Sequence, residues 1–134
     1  SDVYKRQVVT GKTSPLLGAS AALLLNALKH MAGIDHKLEL IPASVIEPIS
    51  AMKTDYLGHR NPRLHSDEVL IALAISGLTN PLAALVQEQL KKLRGCEAHF
   101  SVIISEEDAK LYKRLGINVS CEPRYEVKSL YHKK

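Results

Sequence analysis

Asn61 to Asn80, NPRLHSDEVLIALAISGLTN, joins a polar, charge-bearing turn directly to the most apolar segment of the chain. Ser66 is a good N-cap residue, and Asp67 and Glu68 follow where carboxylates suit the positive end of a helix dipole. Gly77 supplies a C-terminal stop. Between these signals Val69 to Ile75 is apolar on every face, the mark of a central, buried helix. Its N-terminus would then carry Arg63, His65, Asp67 and Glu68 to the edge of a core. Two readings of that cluster stay open: an ordinary helix start with solvated charges, or a polar site at a helix N-terminus.

Downstream, Asn80-Pro81 is a cap and first-turn pair, and Leu82, Leu85, Val86, Gln89, Leu90 and Leu93 mark an amphipathic helix closed by Gly95. Ala98 to Ile104 is the clearest strand, alternating until a continuous apolar end. Ser105 caps a helix through Leu115, with Glu106, Glu107 and Asp108 at its start and Lys110, Lys113 and Arg114 towards its end. Gly116 then turns into a strand from Ile117 to Cys121. This strand–helix–strand unit reads as a right-handed parallel crossover, and it places the chain in the α/β class, helices covering a small sheet.

Upstream, Val8 to Thr10 is a short β-type run ahead of Gly11, Lys12 and Thr13. Ser14-Pro15 reads as cap and first residue of a long helix to Ala32, stopped at Gly33. Lys37 to Ile41 is a candidate strand ending at Pro42. Ser44 and Glu47 have capping-box spacing, while Pro48 places the start of the regular helix there, to run to Leu57 before Gly58.

The opening residues read differently from the rest. Asp2 to Gln7 back-translates, in one choice of codons, to GATGTGTATAAGAGACAG, a transposon end used in sequencing libraries. Residues 1–7 are therefore expected to be a non-native leader, 8–126 the folded part and 127–134 a polar tail, the natural chain extending further upstream.

With 134 residues the chain is one domain or a piece of one. Hydrophobic residues make up 46%, but aromatics only 4%, so the core is built from Leu, Ile, Val and Ala. Of the net charge of +4, Asp2, Lys5 and Arg6 contribute +1 and Lys133 with Lys134 +2, leaving +1 for the rest of the chain and no basic stripe for nucleic acid. Cys96 and Cys121 stand far apart with no secretory segment ahead of them, which points to reduced thiols in the cytoplasm. The longest apolar run, around Ala21 to Leu28, is interrupted by Asn26 and too short to span a bilayer.

Three long segments resemble a known family in order and spacing: VTGKTSPLLGASAALLLNALK, VIEPISAMKTDYLGHRNPRLHSDEVLIALAIS and GCEAHFSVIISEEDAKLYKRLGINVSCEPRYE. Together they look like the C-terminal part of the bacterial family known as domain of unknown function 1846. The resemblance implies a three-layer α/β/α subdomain with a small mixed sheet and about five helices, cytosolic, packed against a larger N-terminal portion of its own chain. That portion carries a Gly-rich, phosphate-loop-like segment in the family. The resemblance leaves the activity and any cofactor open.

Several chemistries invite comparison. Gly11-Lys12-Thr13 ends like a phosphate-binding loop, but the first Gly of GxxxxGK[ST] would fall at Arg6, inside the leader. In the family a Gly sits there on what reads as a hairpin strand, the wrong backbone for a phosphate cradle. A weaker anion contact from Lys12, Thr13 and Ser14 remains, beside plain helix capping. His65-x-Asp67 is similar to the His-x-Glu of zinc deaminases, yet their Pro-Cys-x-x-Cys half is missing, so no metal site is expected. Ser20 after Gly18-Ala19 lies in a helical pattern rather than on a nucleophile elbow, and fits a small residue at a close helix contact. His99 fits a half-exposed strand residue.

Two functions survive. In the first, the chain is one wall of a cleft for a phosphate- or carboxylate-bearing metabolite, with Lys12, Thr13, Ser14, Arg63 and His65 on the anion and Asp67 and Glu68 orienting the basic side chains. In the second, it is a packing or oligomerisation module whose apolar surfaces bury the rest of its own chain or a second copy.

Overall fold

The computed structural model describes residues 9–101 and 103–121. They contain five α-helices and a two-stranded parallel sheet, the α/β class expected from the sequence. The leader, the tail and the boundary at residue 126 lie outside them, as does Val8. The described residues fall into two compact units, divided between residues 90 and 91.

The first unit is helical. Helix α1 (Ala19–Met31) buries Ala21, Leu24, Leu25 and Leu28, and also Lys29. It starts four residues after Pro15, the start that Ser14-Pro15 suggested. The Ser14 hydroxyl does accept the N–H groups of Leu16 (3.3 Å) and Leu17 (3.0 Å), but Leu17 then pairs with Leu64 in a parallel bridge. An extended residue cannot also be helical, so the cap passes to Gly18. Upstream, Val9 and Thr10 form no strand. Gly11 lies flat on α1: a Cβ there would fall 2.5 Å from Leu23 Cα and 2.8 Å from Ala22 C.

Lys37 to Ile41 is not a strand. The Asp35 carboxylate and carbonyl turn the chain by accepting the N–H groups of Lys37 (2.9 Å) and Leu38 (3.0 Å). Leu40 and Ile41 are then buried with no strand partner among the described residues, their apolar pattern reporting burial rather than pairing. Helix α2 (Ala43–Asp55) begins at Pro42, not Pro48, because the Pro42 carbonyl accepts the first N–H groups, those of Val45 (2.9 Å) and Ile46 (3.2 Å). Pro48 is exposed within the helix.

Helix α3 (Ser66–Ser76) has His65 as its N-cap; Ser66 is the first helical residue and fully buried. Val69, Ala72, Leu73 and Ser76 are buried, whereas Ile71 is 59% and Ile75 48% exposed, so one apolar face is open rather than covered. Asn80 caps α4 (Pro81–Gln87) as expected, its carbonyl oxygen accepting Leu82 N–H at 3.0 Å. The helix then tightens into a 3-10 segment (Glu88–Lys92) instead of running on to Leu93. A Cβ on Gly77 would meet Ala84 Cα at 3.3 Å, so α3 and α4 touch closely at the turn between them. Leu78 (83% exposed), Leu82 and Leu85, in the following turn and on α4, are also open.

In the second unit β1 (Glu97–Phe100) pairs in parallel with β2 (Asn118–Cys121) across helix α5 (Glu106–Arg114), the connection predicted from the sequence. The expected mixed sheet is parallel over these two strands. Strand β1 stops at Phe100 instead of reaching Ile104. Ser105 caps α5 through Asp108 N–H (3.1 Å), and Gly116 turns the chain at φ +84°. Tyr112 is buried edge-on against Phe100, ring centroids 5.5 Å apart, and burial followed by the Asp108 charge raises its phenol pKa.

Candidate functional site

The polar turn before α3 and the turn at Ser14 meet through main-chain chemistry. Gly18 N–H donates to Leu64 O at 3.1 Å and Leu64 N–H to Leu16 O at 2.9 Å, closing the bridge between Leu17 and Leu64. This brings Arg63 onto the other turn, its Nε donating to the Ser14 carbonyl at 2.6 Å. Asn61 shapes the approach by accepting Arg63 N–H on its side-chain oxygen (3.0 Å).

Beneath this junction sits Lys53, which the sequence reading did not single out. Its ammonium, on a side chain only 2% exposed, donates to Arg63 O and to Glu68 Oε1, both at 2.6 Å. The same Glu68 oxygen accepts His65 N–H at 2.8 Å, closing a capping box at the start of α3. Burial alone would raise the Glu68 pKa, but the His65 N–H and the Lys53 ammonium outweigh it and hold the carboxyl below its ordinary value. A sequence signal for Lys53 exists: it follows Ile46 by two helical turns, so it shares the only inward face of α2.

The expected site residues therefore divide. Ser14, Arg63, His65 and Glu68 belong to one bonded network. Asp67 is exposed, and its carboxylate accepts Glu68 N–H at 2.8 Å. Lys12 and Thr13 are exposed, just upstream of Ser14. Glu68 bonds Lys53, while among the described residues no hydrogen bond or ion pair joins Asp67 or Glu68 to the Lys12 or Arg63 side chain, the two expected to be oriented. At the start of α3 the His65 and Glu68 N–H groups are each taken by a carboxylate, those of Glu68 and Asp67 respectively.

The cysteines are half-buried free thiols, and burial raises the pKa of Cys96. His99 Nδ1 lies 2.8 Å from Ser120 Oγ across the β1–β2 pair. Among the described residues no three His, Cys, Asp or Glu side chains come together as a metal site, and no helix is long and apolar enough to cross a membrane.

Comparison with known proteins gives a consistent result. The sequence model of the family described as domain of unknown function DUF1846, C-terminal, matches residues 2–131. The chain is 52% identical over 128 residues to a UPF0371 protein of Corynebacterium efficiens, a match covering 96% of this chain and 26% of that protein. It is 50% identical over 127 residues to a UPF0371 protein of Streptococcus thermophilus and 47% identical over 127 residues to one of Corynebacterium diphtheriae, again covering 26% of each. The chain thus spans about a quarter of the length of the curated relatives it matches.

Proposed function

The chain belongs to the DUF1846 C-terminal family, and from that membership we propose that it is a packing module of a larger cytoplasmic protein, its open α3–α4 face covered by the rest of the same polypeptide. One observation carries this reading: Ile71, Ile75, Leu78, Leu82 and Leu85 are all more than 40% exposed along two packed helices and their connecting turn. Full burial of such a side chain contributes about 1.5–3 kcal/mol, so covering five of them is a strong driving force for association. The occupant follows from length, since the match covers only 26% of each relative and leaves about three quarters of that chain to supply a partner surface. Two free thiols, neither in a disulfide, fit a reducing compartment.

The test is hydrogen exchange on a full-length relative and on the 134-residue chain alone. Amides of α3 and α4 should be protected more strongly in the full-length protein, and the short chain alone should bind a hydrophobic dye. Equal protection in both would reject the reading. Protection of the short chain that rises with its own concentration would assign the face to a second copy instead.

A second reading rests on the Arg63–Ser14 bond, which unites the two basic turns. In it Lys12, Thr13, Ser14, Arg63 and His65 form one wall of a cleft for a phosphate- or carboxylate-bearing metabolite, with Asp67 and Glu68 orienting the basic groups. Inorganic phosphate should then raise the melting temperature of the full-length protein, and Arg63→Ala should abolish that rise. Equal destabilisation of Arg63→Ala with and without phosphate would leave Arg63 as a strut between the turns.

A further inference from the structure

Lys29 is buried to 5% exposure on the inward face of α1, beside a cleft of about 250 Å³ between that helix and residues 37–41. The walls are apolar, formed by Leu17, Leu25, Leu40 and Ile46 among others. One ammonium proton goes to the His36 carbonyl at 3.0 Å. An ammonium has three donors, and among the described residues no further hydrogen bond or short ion pair engages the other two. A charged group in apolar surroundings is costly unless it is paired.

We propose that this cleft binds a small organic monocarboxylate, its apolar body between α1 and residues 37–41 and its carboxylate on the Lys29 ammonium. The class of ligand follows from the lining. A neutral apolar molecule would leave the two donors unmet, whereas a carboxylate would meet them; Lys37 and Glu39, which also line the cleft, carry opposite charges. A single negative charge matches the single buried cation, and such charge-assisted hydrogen bonds are about twice as strong as neutral ones. At about 30 Å³ for each water-sized group, the volume suits a body of about eight groups, the size of a short-chain acid. Burial lowers the Lys29 pKa while Asp35 and then Glu39 raise it; a bound carboxylate would add to the raising side.

The cleft uses residues 14–46 and the docking face residues 71–85, so the two proposals fail separately. Sodium hexanoate is the probe, titrated calorimetrically into the full-length protein with hexan-1-ol as the uncharged control. Hexanoate should saturate with a Kd below about 1 mM, and hexanol should bind about tenfold more weakly. Lys29→Met keeps the aliphatic stem and removes the charge; it should lose about tenfold in hexanoate affinity and little in hexanol affinity. In the unsubstituted protein, saturating hexanoate should slow acetylation of Lys29 by acetic anhydride, and this decides the matter if Lys29→Met does not fold. Non-saturating hexanoate, equal affinity in Lys29→Met, or unslowed acetylation of Lys29 would each overturn the proposal.

Discussion

At the scale of single residues, Lys53 and Glu68 hold the polar junction together. A buried ammonium bonded at 2.6 Å to one carboxylate loses its counter-charge if that carboxylate is removed. Glu68→Gln should therefore destabilise the fold by about 3 kcal/mol, and Lys53→Met by a similar amount, in chemical denaturation. The double variant Lys53→Met/Glu68→Leu should recover most of that loss, because no uncompensated charge is then left inside. The pair also has a pH signature. The Glu68 carboxyl is held below its ordinary 4.5, so its contribution is fully present above pH 4.5 and is lost as the pH falls through the lower folded-state value. Stability measured from pH 5 downward should fall less steeply in Glu68→Gln than in the parent; identical slopes would show that the carboxylate is not coupled to folding.

At the scale of elements, two glycines beside α1 matter for different reasons. Gly11 lets the incoming segment rest on the helix backbone, where a Cβ would collide with Leu23 and Ala22, both fixed main chain. Gly11→Ala should cost about 3 kcal/mol, at the upper end of overpacking penalties, because neither partner can rotate away. Gly33 ends α1 at φ +74° with nothing within 4 Å of its would-be Cβ. Gly33→Ala should therefore cost only about 1–2 kcal/mol, the left-handed backbone penalty alone, and Gly33→Asn less still. Thermal melts of the three variants distinguish steric from conformational cost; equal losses for Gly11→Ala and Gly33→Ala would remove the distinction. Helix α4 depends on its cap, and Asn80→Ala should cost about 1 kcal/mol by leaving Leu82 N–H unpaired.

At the scale of the whole molecule, the proposed covering of α3 and α4 can be tested at one exposed residue. Ile75 is 48% exposed and touches the fold with only part of its side chain, so Ile75→Lys should change the stability of the short chain by no more than about 1 kcal/mol. In the full-length protein the same substitution would place a charge in a buried contact, and the melting temperature should fall by several times as much. A comparable small effect in both would mean that this face stays wet in the intact protein.

Local signals were legible wherever the chain satisfies itself locally. Asn80-Pro81 and Ser105 cap their helices through bonds made within three residues, and Gly33 and Gly116 stop theirs because φ is positive there. The parallel β1–α5–β2 unit could be read because its helix and both strands carry independent period signals. Arg63, Ser14, His65 and Glu68 could be picked out as a polar group near one helix start, but not their bonding. That depends on Leu17 pairing with Leu64, forty-seven residues away by number, a contact that costs Pro15 its helix and hands the cap of α1 to Gly18. Lys53 and Lys29 went unread because a lysine is normally solvated, and only tertiary packing supplies the carboxylate or carbonyl that lets one be buried. The same principle covers the apolar runs. Hydrophobicity on every side of Val69 to Ile75 pointed to a fully buried α3, but which of its residues meet protein and which stay exposed is decided by what the fold places beside them, since burial is non-directional and takes whatever surface is offered.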